Sequence, residues 1–228
     1  MTFKQIDASN GQVFGVNNEN NIYTLHGDSW VRLPGSLKHV TVGPAGVWGV
    51  NSNNNIYKLV SGRWQLISGT LKQIDAGGDQ FVVGLDANYN GFCLSNQSTI
   101  SLKNESTLPW ANISPRVHYY SCGLWGCWAV YSTYVYYRHD VTPGSCVGSR
   151  WQQVAGQLTM IEVGTEGTVY GVNSAGHVFR RDGINSSNPI GTAWTPAASF
   201  LCKGKHVSYD LGVLWVINTD GKTVKCRV

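Results

Sequence analysis

At 228 residues the chain has room for one or two ordinary domains, and only 13% of it is charged, about half the usual ~25%. A formal net charge of +4 with no basic run gives nucleic-acid binding little support. No apolar stretch nears the ~20 residues of a membrane span, and the opening MTFKQID lacks the apolar core of a signal peptide. The expectation is a mature secreted form with an added Met1, or else a protein that is not exported.

In chain order the sequence reads as six copies of one unit. Residues 3–36, FKQIDASNGQVFGVNNENNIYTLHGDSWVRLPGS, align almost without gaps on residues 37–70, LKHVTVGPAGVWGVNSNNNIYKLVSGRWQLISGT. Further copies start at Leu71, Val117 and Leu158, and a sixth carries HVSYDLGVLWVINTDGKTVKC from His206. Units of this kind cannot bury their own faces and must stack, so one domain over 1–228 is expected, with repeats near 3–36, 37–70, 71–116, 117–157, 158–200 and 201–228.

Each unit divides into four short alternating runs separated by Gly, Asn, Asp or Ser, here called strands a to d. In the second unit these are His39–Val42, Val47–Asn51, Ile56–Leu59 and Arg63–Ile67. Capped 3.6-residue periodicity is missing. Tandem four-stranded units predict an all-β, six-bladed propeller. The sixth unit ends soon after its strand c, so its blade is expected to be three-stranded, or its closing strand to be lost from the N-terminus. A small residue in the middle of strand b (Gly15, Gly49, Gly171, with Ala129 in the fourth unit) predicts a close approach between neighbouring blades.

Six cysteines lean toward export. Cys122 and Cys127 flank a tight turn where antiparallel strands would set them opposite each other. Cys93, at the end of strand c in blade three, and Cys146, on the c–d loop of blade four, share a face and adjacent blades and form the next candidate pair. Cys202 and Cys226 remain, placed toward opposite faces, which leaves an intermolecular bridge open. Glycosylation sequons at Asn96, Asn104, Asn112 and Asn185 point the same way as the cysteines.

The recurring W-x-x-[LIV]-x-G, L-K-x-[IV] and [VW]-x-G-V-N, followed by [IV]-[YF] in strand c, resembles the tectonin repeat over essentially the whole chain. LKHVTVGPAGVWGVN and DLGVLWV look most like the fish egg lectin branch, related to tachylectin-1. That resemblance implies a secreted six-bladed lectin that binds N-acetylglucosamine or galactose-type sugars and bacterial lipopolysaccharide, agglutinates microbes or coats eggs, and carries calcium.

With strand a innermost, the b–c and d–a turns share one face, and the long insertions 95–108, 139–149 and 182–192 lie on the other as c–d loops. Three sequons sit on those loops, so ligands are expected on the b–c face. There each strand b ends in a polar residue: Asn17, Asn51, Asp86, Tyr131, Asn173 and Asn218. An amide or carboxylate there either closes the turn through its own side chain or meets sugar hydroxyls. Trp48, Trp128 and Trp215 of strands b either fill the core or stack on a pyranose, and the strand-d tryptophans Trp30, Trp64, Trp110, Trp151 and Trp194 pack between blades or serve as sugar platforms.

One position of strand a reads Asp7, Thr41, Asp75, Ser121, Glu162 and Ser208, an acid alternating with a hydroxyl around the ring. This set either joins the blades by hydrogen bonds or, with Asp210, supplies oxygens to a calcium ion. Dispersed histidines and the lack of any catalytic motif leave enzyme readings unsupported. Two binding roles stand: a lectin acting through several weak sites or as a homo-oligomer, and an intracellular tectonin-type interaction scaffold with reduced cysteines and empty sequons.

Overall fold

A computed structural model describes residues 1–102, 107–113, 115–197 and 203–228, with Arg227 described by its backbone alone. Antiparallel meanders follow one another along the chain, five of four strands and a last one of three. Strand a spans Gln5–Ser9, His39–Gly43, Gln73–Asp75, Tyr119–Gly123, Met160–Val163 and His206–Asp210 in blades one to six. Strand b spans Gln12–Val16, Gly46–Val50, Val82–Leu85, Gly126–Tyr131, Val169–Val172 and Val213–Ile217. Strand c spans Ile22–His26, Asn55–Val60, Gly91–Leu94, Tyr134–Arg138, Val178–Asp182 and Thr223–Arg227. Strand d, absent from blade six, spans Ser29–Leu33, Arg63–Thr70, Ala111–Ile113, Trp151–Gln157 and Ala193–Pro196.

Left-handed pairs such as Asn10-Gly11 (φ 53° and 71°) and Leu211-Gly212 (φ 47° and 80°) turn a into b, and the twist of such turns matches that of the strands they join. Successive a strands pack around the axis, and that of blade six returns against that of blade one. The apolar clusters straddle seams between blades: Trp48 and Val50 of blade two meet Ile74 and Val82 of blade three, and Phe3 and Ile6 of blade one meet Trp215 and Ile217 of blade six. A blade therefore has no core until its neighbour arrives.

The ring closes with an interaction used at every seam. Where chain leaves a strand d, a backbone N–H donates to the last carbonyl of the preceding b–c turn: Leu37 to Asn20 at 3.0 Å, Leu71 to Asn54, Val117 to Tyr89, and Leu158 to Thr133. Phe3 donates to Gly221 in the same way at 2.9 Å, and Thr2 bridges to Lys222. Residues at the start of the chain thus occupy the place where an outer strand of blade six would end.

Both expected disulfides are present, Cys122–Cys127 within a hairpin and Cys93–Cys146 between blades three and four. Cys226 is also disulfide-bonded, while Cys202 and the sequon residue Asn104 lie outside the described residues. Two features differ from expectation. The insertion of blade three contains a five-residue helix, Asn96–Ile100, too short to leave a periodic signal. The strand-b glycines face the linker entering their own blade: a Cβ on Gly49 would lie 2.4 Å from Leu37 Cδ1, and one on Gly171 2.4 Å from Leu158 Cδ1.

Candidate functional site

Inner strands expose one edge to the axis, and edge N–H groups need partners. Side chains of the preceding blade supply them. Gln5 Oε1 accepts from Val40 N at 2.9 Å while its Nε2 donates to Val40 O at 2.7 Å, and Gln73 repeats this double contact with Tyr120. One layer along, Asp7 accepts from Val42 N, Thr41 from Ala76 N, Asp75 from Cys122 N, Ser121 from Val163 N, and Ser208 from Ala8 N.

The alternating ring is therefore a set of blade-to-blade hydrogen bonds. Ser121 Oγ lies 3.0 Å from Asp75 Oδ2 and 2.9 Å from Glu162 Oε2. A hydroxyl has one hydrogen, so the second contact is a hydrogen bond only if that carboxyl keeps its proton. Burial, then the charge of Asp7, pushes Asp75 up to about 7, and burial followed by repulsion from Asp7 and Asp75 holds Glu162 well above its ordinary value.

Outside this ring, one groove recurs between blades on the b–c face. In blade five it is a 270 Å³ cleft lined by Gly156, Gln157, Leu158, Asn173, Phe179 and Trp194. In blade four the equivalent cleft of 330 Å³ is lined by Pro115, Arg116, Val117, Tyr131, Tyr136 and Trp151. The strand-d indole is half-buried and its N–H is committed: Trp194 Nε1 donates to Ala155 O at 2.9 Å, Trp110 to Ser68 O at 2.8 Å, and Trp64 to Pro34 O at 3.0 Å. It lies against a left-handed glycine of the preceding blade, where a Cβ on Gly156 (φ 129°) would come within 2.9 Å of Trp194 Nε1. The W-x-x-[LIV]-x-G motif thus joins two blades, its Gly receiving the next unit's Trp.

The asparagines ending strand b are half used, whereas both oxygens of Asp86 are taken by Asn88 and Asn90. Asn173 Oδ1 accepts from Ala175 N at 3.0 Å and His177 N at 2.9 Å, and Asn51, Asp86 and Asn218 close their turns the same way. Asn17 Oδ1 accepts from Asn21 N. Asn51 Nδ2 reaches Tyr57 Oη at only 3.5 Å, and those of Asn17, Asn173 and Asn218 hold no protein partner among the described residues. The oxygen builds the turn, as the first of the two sequence readings has it, and in Asn17, Asn173 and Asn218 the N–H2 group is left without a protein partner among the described residues.

The tectonin-domain family model matches residues 2–219. The chain belongs to the tectonin family. It is 45% identical over 225 residues to the fish-egg lectin of Cyprinus carpio, an alignment covering 98% of this chain and 94% of that one. Solved structures share the fold at low identity. Yeast RCC1 (Prp20) bound to Kap60 has a TM-score of 0.60 at 12% identity, covering 96% of this chain and 68% of the other. Human WBSCR16 has a TM-score of 0.62 at 10%, covering 92% and 70%.

Within this tectonin ring the strand-b tryptophans need correction as sugar platforms. Trp48 and Trp128 are fully buried and Trp215 is 7% exposed, so their faces are spent on the core. The groove aromatics are instead strand-d tryptophans with a strand-c ring of the same blade, Trp151 with Tyr136 and Trp194 with Phe179. The proposed calcium ligands also fit poorly. All six carboxyl oxygens of Asp7, Asp75 and Glu162 already have a protein hydrogen-bond partner, including Tyr119 Oη, which donates to Glu162 Oε1 at 2.7 Å. Asp210 stands at the far end of the axis, where Oδ2 accepts from Gly11 N at 2.7 Å and Oδ1 is buried without a partner. Among the described residues no cluster of three His, Cys, Asp or Glu could hold a metal.

Proposed function

We propose that this tectonin protein is a secreted lectin that binds amino sugars such as N-acetylglucosamine, alone or within bacterial lipopolysaccharide, and agglutinates without chemistry in innate immunity or at the egg surface. The observation that carries this reading is the blade-five groove, where the free Asn173 N–H2 group lies beside the partly exposed Trp194 indole, with a second cleft in the corresponding place of blade four. A pyranose offers an apolar C–H face to the indole and hydroxyls or an acetamido oxygen to the amide. Asn17, Asn51 and Asn173 are the polar anchors, with Trp30, Trp64 and Trp194 as platforms, while at blade three Trp110 stands beside Asp86, whose oxygens are both held by Asn88 and Asn90. Asn218 has no strand-d tryptophan beside it and is the weakest of the set.

Similarity to a protein named a lectin supports the assignment, and the disulfides support an extracellular setting. Exposed Asn112 and Asn185 are proposed to carry glycans. Shallow grooves bind weakly one at a time, so agglutination rests on several grooves per ring or on oligomers.

Calorimetric titration and a glycan array, each run with and without chelator, test the reading. Binding of N-acetylglucosamine or lipopolysaccharide is expected, and no hit on any amino sugar would overturn it. Loss of binding with chelator would place calcium in the site. Mass measurement of the native protein before and after reduction and deglycosylation tests secretion, where free thiols without glycans would favour an intracellular scaffold.

A further inference from the structure

The residue just before strand a reads Lys4, Lys38, Lys72, His118, Thr159 and Lys205 in blades one to six. Four consecutive blades (six, one, two and three) therefore place a lysine between the grooves and the axis. Lys4 and Lys38 donate to the side-chain oxygens of Asn20 and Asn54 in their own b–c turns, and Lys72 Nζ sits 3.7 Å over the Tyr89 ring. These partners hold the ammonium groups on the face without neutralising them. The one salt bridge among the described residues, Arg180–Asp182, lies elsewhere.

Beneath the lysines, the first residues of strand a in blades two, four and six converge on the axis. Tyr119 lies between His39 and His206, with ring centroids 6.5 Å and 6.3 Å away. His206 Nε2 contacts Ile6 O at 2.8 Å and Tyr119 donates to Glu162, but both ring nitrogens of His39 are buried with no partner. A buried imidazole with neither nitrogen satisfied is costly, and like charges gathered without counter-charge add to that cost. Lys38 lies close enough to Lys4 and Lys72, and His39 to His206, Lys38 and Lys4, to feel their charge. Burial raises Asp7, Asp75 and Glu162 of the next layer, which weakens them as counter-charges.

We infer that the axial mouth on the groove face, bordered by Lys4, Lys38, Lys72 and Lys205 above His39, is an anion site for a phosphate or sulfate group carried by a saccharide. An oxyanion there would meet several ammonium groups and take a hydrogen bond from His39. The linker residues lining the two clefts, Val117 and Leu158, directly precede His118 and Thr159, and Leu37 and Leu71 hold the same place in their repeats before Lys38 and Lys72, so a charged substituent on a sugar seated in blades two and three would extend toward a lysine. Blade five, with Thr159, is the neutral counterpart. The inference rests on the lectin reading for its saccharide and on the mouth alone for its anion.

The test is titration with N-acetylglucosamine, its 1-phosphate, 6-phosphate and 6-sulfate, and inorganic phosphate, at about 50 mM and about 500 mM salt. A charged sugar should bind roughly tenfold more tightly than the neutral one at low salt, with the gap closing at high salt. Phosphate and sulfate forms separate the two sources of charge. Lys38→Gln/Lys72→Gln should remove the gap while keeping neutral-sugar affinity, and the doubly Arg variant should retain it. Equal affinities in the unaltered protein, or a gap that survives Lys38→Gln/Lys72→Gln, would overturn the anion site. If neutral sugar fails to bind while inorganic phosphate still shifts the His39 ring resonances, the anion site stands and the lectin reading falls.

Discussion

Along the axis, Gln5, Gln73, Asp7, Asp75 and Ser121 give their hydrogen bonds to the next blade, whereas in the grooves Asn17, Asn173 and Asn218 leave their amide nitrogens unpaired. The same division holds for tryptophan: Trp48 is sealed in a seam, and Trp194 spends its N–H on Ala155 O but stays partly exposed. Saturated polar groups hold the ring together, and unsaturated ones are where a ligand can add a bond. His39 and Asp210 are inner-layer exceptions, and His39 marks the mouth proposed to take an anion.

The sharpest way to break this comparison is to exchange one tryptophan of each kind for alanine. Trp48→Ala should cost about 3–5 kcal/mol of stability by denaturant unfolding, because it empties a packed seam. It should leave the affinity of the folded protein for N-acetylglucosamine unchanged. Trp194→Ala should cost about 1–2 kcal/mol, since half the ring already faces water, yet weaken binding at the blade-five groove roughly thirtyfold. Equal effects of the two on affinity would show that the grooves are not where sugar binds.

Next in size is Ser121→Ala, which strips a hydroxyl shared by Asp75, Glu162 and Val163 N. Buried groups left short of a partner should cost about 2–3 kcal/mol, again with no change in sugar affinity. A loss below about 0.5 kcal/mol would mean that the ring does not carry the seams.

Much of this was legible in the sequence, because a repeat shows its strands six times over and the acid–hydroxyl alternation lies at one fixed position. Cys122–Cys127 was readable from a local hairpin, and Cys93–Cys146 from face and blade adjacency. The groove was less accessible: Trp194 meets Gly156, 38 residues earlier in the preceding blade, beside Phe179 of its own blade. Trp48 and Trp194 look alike in sequence, and only the seam geometry decides which one is sealed. The lysine before strand a was visible in L-K-x-[IV], but its meaning required knowing that blades six, one, two and three are consecutive around a closed axis.

A smaller effect follows from the half-used asparagines. Asn173→Ala removes the turn oxygen and the groove N–H2 together and should cost about 1 kcal/mol of stability and roughly tenfold in affinity at that groove. Asn173→Asp keeps the turn oxygen, as Asp86 does in blade three, so stability should hold while affinity falls. If Asn173→Asp binds as well as the parent, the amide nitrogen has no part in recognition.

The subtlest test concerns pH, where two adjacent inner layers oppose each other. Burial and neighbouring acids raise Asp75 to about 7, from ~4 in an unfolded chain. A raised acid gives stability that is complete below pH ~4 and is lost as pH climbs through about 7. Burial lowers His39 to about 3 and His206 to about 4, so their contribution is complete above pH ~6.5 and is lost as pH falls toward those values. Between pH 4.5 and pH 6.5 the layers therefore slope in opposite directions and partly cancel. Relative to the parent, Asp75→Asn should tilt the stability profile upward with pH and His39→Gln should tilt it downward, each by at most about 1.4 kcal/mol per pH unit. Urea unfolding at the two pH values measures both tilts. Profiles parallel to the parent in both variants would show that the axial groups keep their ordinary protonation, and would remove the shared proton at Ser121 from the account of the ring.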